Sequence, residues 1–223
     1  MPTPPIASPA VWLRADLGIT IATGVSVWAD QSGNSNNATQ GTTGDQPAYN
    51  ASDPAYNGQP TVQFNGSPDY MQMAALFPAQ PSTVYVVGEC TSGSGNEPFF
   101  TESGNSAGLY FSGVWEIYAG AVLSSANSVR TRQYFAAIFN GASSDLYINN
   151  PTTPAASGNA STISPSGTQY LGTQGLGAFI TGKIAEIIVY AGAHTSAQVT
   201  TVFAYFNNRY LPQNDPIFFS NEC

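Results

Sequence analysis

The sequence predicts an all-β domain, a sandwich or barrel of short antiparallel strands, followed by one C-terminal α-helix. Short β-like runs recur from Val25 to Tyr190, each bounded by Gly, Asn, Ser or Pro; this is strand-and-turn punctuation, unlike the alternating strand and helix periods of an α/β chain. A single stretch, beginning at Thr195, carries the three- and four-residue apolar spacing of an amphipathic helix. No repeat of solenoid or propeller period is present, and 223 residues suit one large β domain.

The elements follow in order. Met1 to Pro9 reads as an extended arm, because Pro2, Pro4, Pro5 and Pro9 fix φ and remove amide donors. Strands are expected at 25–28, 61–64, 83–88, 108–111, 114–118, 133–140, 145–148, 169–172 and 183–190. In the run 145–148, Leu146 and Ile148 point one way and Tyr147 the other, and Asn149-Asn150-Pro151 ends the strand. The runs 133–140 and 145–148 lie close enough to form a hairpin across Asn140 to Ser144. In the helix, Val199, Val202, Phe203, Phe206 and Tyr210 make one stripe. Thr195 caps it, Gln198 completes a capping box, Arg209 sits at the negative end of the dipole, and Pro212 follows the stop. The tail from 212 onward places Ile217, Phe218 and Phe219 near the terminus, where they need cover from a groove of the same domain or from another subunit.

Four segments carry a family resemblance: Trp12-Leu13-Arg14-Ala15-Asp16, Trp28-Ala29-Asp30-Gln31-Ser32-Gly33-Asn34, Phe64-Asn65-Gly66 and Gly182-Lys183-Ile184-Ala185-Glu186-Ile187-Ile188-Val189-Tyr190. Together they resemble the laminin G-like branch of the concanavalin A-like lectin/glucanase superfamily, of the kind found in bacterial surface and phage structural proteins, over roughly Val11 to Leu211. The resemblance implies a two-sheet jelly-roll sandwich, and function only by analogy. The expected organisation is an arm at 1–9, a jelly-roll domain at 10–211 and a tail at 212–223.

Composition narrows the partners. Charged residues make up 8% of the chain and the net charge is −8, so the surface is neutral-polar to acidic. The five basic residues form no patch, which argues against nucleic acid and anionic membranes. No apolar run is long enough to span a bilayer, and the N-terminus lacks the pattern of a secretory signal. Cys90 and Cys223 are too few for a disulfide scaffold; Cys90, ending an apolar run, reads most simply as a buried thiol.

The search for chemistry returns few residues. Glu89, Glu97, Glu102, Glu116 and Glu186 are scattered singly, without the paired carboxylates of glycoside hydrolysis. Glu186, among isoleucines, reads as a structural anchor before a catalytic acid. His194 is the sole histidine, expected in an exposed turn, and no zinc set or nucleophile elbow occurs. Calcium is the one cofactor the loops admit, through Asp30, Asn34, Asp69 and Asp145, although turn chemistry is the leading reading of Asp30 and Asn34, ahead of a metal or sugar contact. Tyr110, Trp115 and Tyr118 are the glycan-binding candidates, near Gly113 and Asn105, and Tyr110, Glu116 and Tyr118 share one parity; burial in the core is the favoured reading of these aromatics and glycan contact the competing one. No catalytic residue is assigned.

The leading expectation is a non-catalytic virion or extracellular surface subunit, such as a decoration, fibre or receptor-binding protein. It would contact glycans and assemble as a homo-oligomer, or with other subunits, through its two tails. The alternative is a polysaccharide-degrading enzyme or its detached carbohydrate-binding module.

Overall fold

The structure, a computed structural model, describes residues 3–73, 78–92, 95–102, 107–164 and 167–211. Among these residues the chain forms two large antiparallel sheets, a small ribbon pairing Thr173–Gln174 with Ala178–Phe179, and one α-helix, Ser196–Tyr210. The first sheet runs in the spatial order Ala156–Gly158, Ser144–Ile148, Gln133–Phe139, Ser82–Ser92, Thr181–Ala191, Gln59–Asn65 and Ala48–Asp53, and Val11–Arg14 also pairs with Thr181–Ala191. The second runs Val122–Ser124, Trp115–Tyr118, Gly108–Phe111, Glu97–Glu102, Gln169–Leu171, Met71–Met73, Ala38–Thr39, Val25–Trp28 and Ile19–Ile21. The expected β-sandwich with a C-terminal helix is therefore the fold.

The molecule has three layers and two cores. Between the sheets lies the larger core, built around Trp28, Trp115, Phe99, Phe100, Phe135 and Ile187. Between the first sheet and the helix lies the second, with Trp12, Tyr85, Tyr134, Ile188, Val202 and Phe206. A middle sheet covered on both faces needs continuous apolar strands, with alternate residues serving opposite cores. Gln133–Phe139 does this: Phe135, Ala137 and Phe139 enter the inter-sheet core, while Tyr134, Ala136 and Ile138 face the helix. Leu146 and Ile148 likewise enter one core and Tyr147 the other, as alternation predicts.

The hairpin forms through a 3-10 turn at Gly141–Ser143, with Ala137 paired to Leu146. The longest strands exceed their predicted bounds because they pair with each other along most of their length, from Gly182–Cys90 to Ala191–Ser82. Several strands were not expected, notably Val11–Arg14 and Glu97–Glu102. Val11–Arg14 is short and pairs only with a strand distant in sequence, and Glu97–Glu102, besides its hairpin with Gly108–Phe111, takes its other edge from Gln169–Leu171, which local pattern cannot reveal.

The helix starts as its sequence requires. The Gln198 amide donates to Thr195 Oγ1 and the Thr195 amide donates to Gln198 Oε1 at 2.9 Å, a complete capping box. Its stripe is buried as predicted, each large side chain contributing about 1.5–3 kcal/mol by leaving water. Below it, Glu186 is fully buried yet fully engaged. Its carboxylate accepts from Trp12 Nε1 at 2.6 Å, Tyr210 Oη at 2.7 Å and Tyr205 Oη at 3.0 Å, with Arg209 Nε at 3.6 Å. Burial raises its pKa, opposed by the Trp12 and Tyr210 hydrogen bonds and the Arg209 charge. Glu186 is thus the anchor joining the first strand, the last strand and the helix.

Two expectations meet the structure differently. His194 is half-buried, not in an exposed turn: its ring lies 4.5 Å from that of Tyr190, and Nδ1 is 2.8 Å from Tyr85 Oη. The arm does not project freely, since Ile6 packs against the helix-side core and accepts the Tyr190 hydroxyl at 2.9 Å. Cys90 is a buried thiol donating to Glu97 Oε2 at 2.8 Å, while Cys223 and the apolar tail lie outside the described residues.

Candidate functional site

The outer face of the second sheet carries the site. In Trp115–Tyr118 the alternation sends Trp115 and Ile117 into the inter-sheet core and leaves Glu116 and Tyr118 on the outer side. Register then assembles the neighbours. Glu116 lies between Tyr110 and Ser124, and Tyr118 lies between Gly108 and Val122. Gly108 has a specific reason to be glycine: a Cβ there would stand 2.7 Å from the Tyr110 ring and 2.5 Å from the Phe100 carbonyl. The missing side chain lets the Tyr110 ring lie across the strand, next to Tyr118.

These residues line a concavity of about 270 Å³, bounded by Asn96, Tyr110, Glu116, Tyr118, Val122 and Gln174. Gln174 belongs to the small ribbon, which forms a wall; Asn96 Nδ2 donates to its Oε1 at 2.5 Å. Glu116 Oε2 accepts from Ser124 Oγ at 3.1 Å. Val122 is 56% exposed at the rim, whereas Tyr110 is buried and its hydroxyl has no partner among the described residues. Burial, with the Tyr118, Glu102 and Glu116 side chains nearby, pushes the Tyr110 phenol well up, so it stays protonated as a donor. The site offers the half-buried Tyr118 ring, two amides and one carboxylate in a shallow cup floored by Tyr110, the equipment that fixes a polyhydroxylated ligand.

Of the sequence-predicted glycan residues, Tyr110 and Tyr118 meet in this cup with Glu116, as shared parity implied. Trp115 does not. It is completely buried, packs 4.4 Å from Phe135, and its indole donates to the Val129 carbonyl at 2.7 Å, so it offers no ring face to a ligand. The correction follows from pleating: Trp115 is one residue from Glu116 and faces the opposite side. Asn96, Val122 and Gln174 were missed, because each comes from a separate segment whose approach depends on strand order. Asn105 lies outside the described residues.

The metal candidates are spread over different duties. Asp30 organises a turn: Oδ1 accepts from the amides of Trp12 and Ser32 at 2.8 and 2.9 Å, and Oδ2 from Ser32 Oγ at 2.6 Å and the Asn36 amide at 3.0 Å. Asn34 donates to the carbonyls of Pro9 and Ala10, both at 3.1 Å. Asp69 accepts the Asn65 amide, and Asp145 accepts the Ser157 hydroxyl. The four do not form a common ligand set, and among the described residues no three His, Cys, Asp or Glu side chains converge. The Trp28–Asn34 signature thus stitches a loop to the start of the first strand.

No family model matches the chain, and no curated protein matches its sequence. Solved structures do match its fold. Domain 4 of AbnA, a GH43 extracellular arabinanase from Geobacillus stearothermophilus, seen in complex with arabinotriose, superposes with a TM-score of 0.62 at 16% identity, covering 88% of this chain and 98% of that one. Trypanosoma rangeli sialidase matches with a TM-score of 0.64 at 13% identity over 92% of this chain and 34% of its own. A GH54 α-l-arabinofuranosidase gives 0.59 at 15% identity, over 84% and 51%. The chain therefore spans about a third of the sialidase it matches. These likenesses define a sandwich of the kind found in glycosidases. The expectation of a non-catalytic virion or surface subunit is corrected: the solved structures that share the fold are glycosidases and a glycosidase domain.

Proposed function

We propose that the chain is a glycan-binding module of a carbohydrate-active enzyme, with the cup around Tyr110, Glu116 and Tyr118 as its binding site. The observation that carries this reading is the convergence of two tyrosines, two amides and a carboxylate on one outer sheet face. The likeness to an arabinanase domain seen with arabinotriose supports it. We further propose that the module belongs to the laminin G-like branch of the concanavalin A-like superfamily, with residues 10–211 as its body, on the strength of its Trp12–Asp16, Trp28–Asn34 and Gly182–Tyr190 segments.

A second reading, hydrolysis by this chain itself, is favoured by Glu116 in the cup. It requires a partner acid at about 5–9.5 Å across the scissile bond. One experiment addresses both. The protein is titrated calorimetrically with arabino-, xylo- and gluco-oligosaccharides, and new reducing ends are measured in parallel. Saturable binding is expected, weakened about tenfold by Tyr118→Ala with the circular dichroism spectrum unchanged; a tenfold loss corresponds to about 1.4 kcal/mol. Absence of binding across a broad oligosaccharide panel overturns the proposal. Turnover lost on Glu116→Gln establishes the second reading in its place.

A further inference from the structure

The sugar that fits the cup can be narrowed by charge. Glu116 is the sole acidic or basic residue among those lining it. The chain has five basic residues, and every one is engaged elsewhere. Arg14 pairs with Asp16 at 2.7 Å, and Arg209 reaches Asp16 at 2.7 Å and Glu186 at 3.6 Å. Lys183 is held by Asp53 and Glu89, both at 3.0 Å. Arg132 donates to the Tyr210 carbonyl at 2.8 Å, and Arg130 lies 4.2 Å from the centre of the Phe111 ring, on a residue that points into the inter-sheet core. The Tyr118, Glu102 and Glu116 side chains all lie close enough to Tyr110 to push its phenol pKa up.

A concave site lined by one sign of charge on a protein of net charge −8 concentrates counter-ions of the opposite sign. A phenol ring beside a carboxylate also forms an arrangement that holds an ammonium group, through ring quadrupole and ion pairing together. Resting on the glycan reading above, we propose that the cup selects an amino sugar bearing a free ammonium group, with Glu116 as the specificity-determining residue, and that it rejects acidic sugars. The ammonium would sit at Glu116 against the Tyr118 ring. Asn96 and Gln174 would take the hydroxyls.

The test uses the full chain and three ligands of graded charge: glucosamine oligosaccharides, their N-acetylated counterparts, and oligogalacturonides. Binding is measured by calorimetry at low salt, at a pH where the amine is protonated. The glucosamine series is expected to bind about three- to fivefold tighter than the N-acetylated one, the size of a partly exposed ion pair. The acidic series should bind weakest, and the spread should shrink as salt rises. Glu116→Gln should bring the three within about twofold of one another. Equal or preferred binding of the acidic series, or an order that Glu116→Gln leaves intact, overturns the inference while leaving glycan binding standing. Failure of all three series, together with the neutral panel above, overturns both.

Discussion

Glu186 and Glu116 are both strand carboxylates, and their surroundings could hardly differ more. Glu186 lies beneath the helix, fully buried, with an indole and two phenols donating to it and an arginine close by. Glu116 lies on the outer face of the other sheet, bonded to one serine hydroxyl and open to a cup beside a tyrosine whose own hydroxyl lacks a partner among the described residues. A buried charge survives only when its neighbours satisfy it, so the first network is closed and serves stability. The second keeps Glu116 on an open cup, where a ligand can reach it.

That contrast can be broken by substitution. Glu186→Ala should have the largest effect, lowering stability by about 3–5 kcal/mol in urea unfolding, because it strands three donors and an arginine in a buried space. Trp115→Ala should cost about 3–5 kcal/mol as an ordinary core truncation. Tyr118→Ala, three residues away, should change stability by about 0.5 kcal/mol or less while weakening glycan binding. A Trp115 variant of native stability but lost binding would reverse the assignment of these two aromatics.

The smallest effect concerns pH. Burial holds the His194 pKa below its ordinary 6.5. In the window just below 6.5 the unfolded chain binds more protons than the folded one, so stability rises with pH there and falls on acidification. His194→Gln should flatten that slope in unfolding curves taken from pH 5 to 7. An unchanged slope would mean that other groups set the acid sensitivity.

Local pattern went furthest where the physics is local. The capping box at Thr195 and Gln198, the stripe from Val199 to Tyr210, and the opposed faces of Leu146 and Tyr147 are all legible in a few residues, because cap geometry and side-chain period are properties of the backbone itself. The shared parity of Tyr110, Glu116 and Tyr118 was legible for the same reason. The duty of Asp30 was half legible: its setting announced a turn, but its bond to the Trp12 amide crosses 18 positions.

What the sequence by itself determined is the kind of protein: a low-charge β-sandwich with one amphipathic helix, fixed by periodicity, turn residues and composition. Only the tertiary structure decided which face is open. Setting Gln169–Leu171, and with it the Gln174 ribbon, beside Glu97–Glu102 requires long-range pairing, and the packing of the two sheets buried Trp115, left Tyr118 half-buried and brought Gln174 to Asn96 at the cup. Strand order is set by the summed packing of the whole core, so no short stretch of sequence contains it.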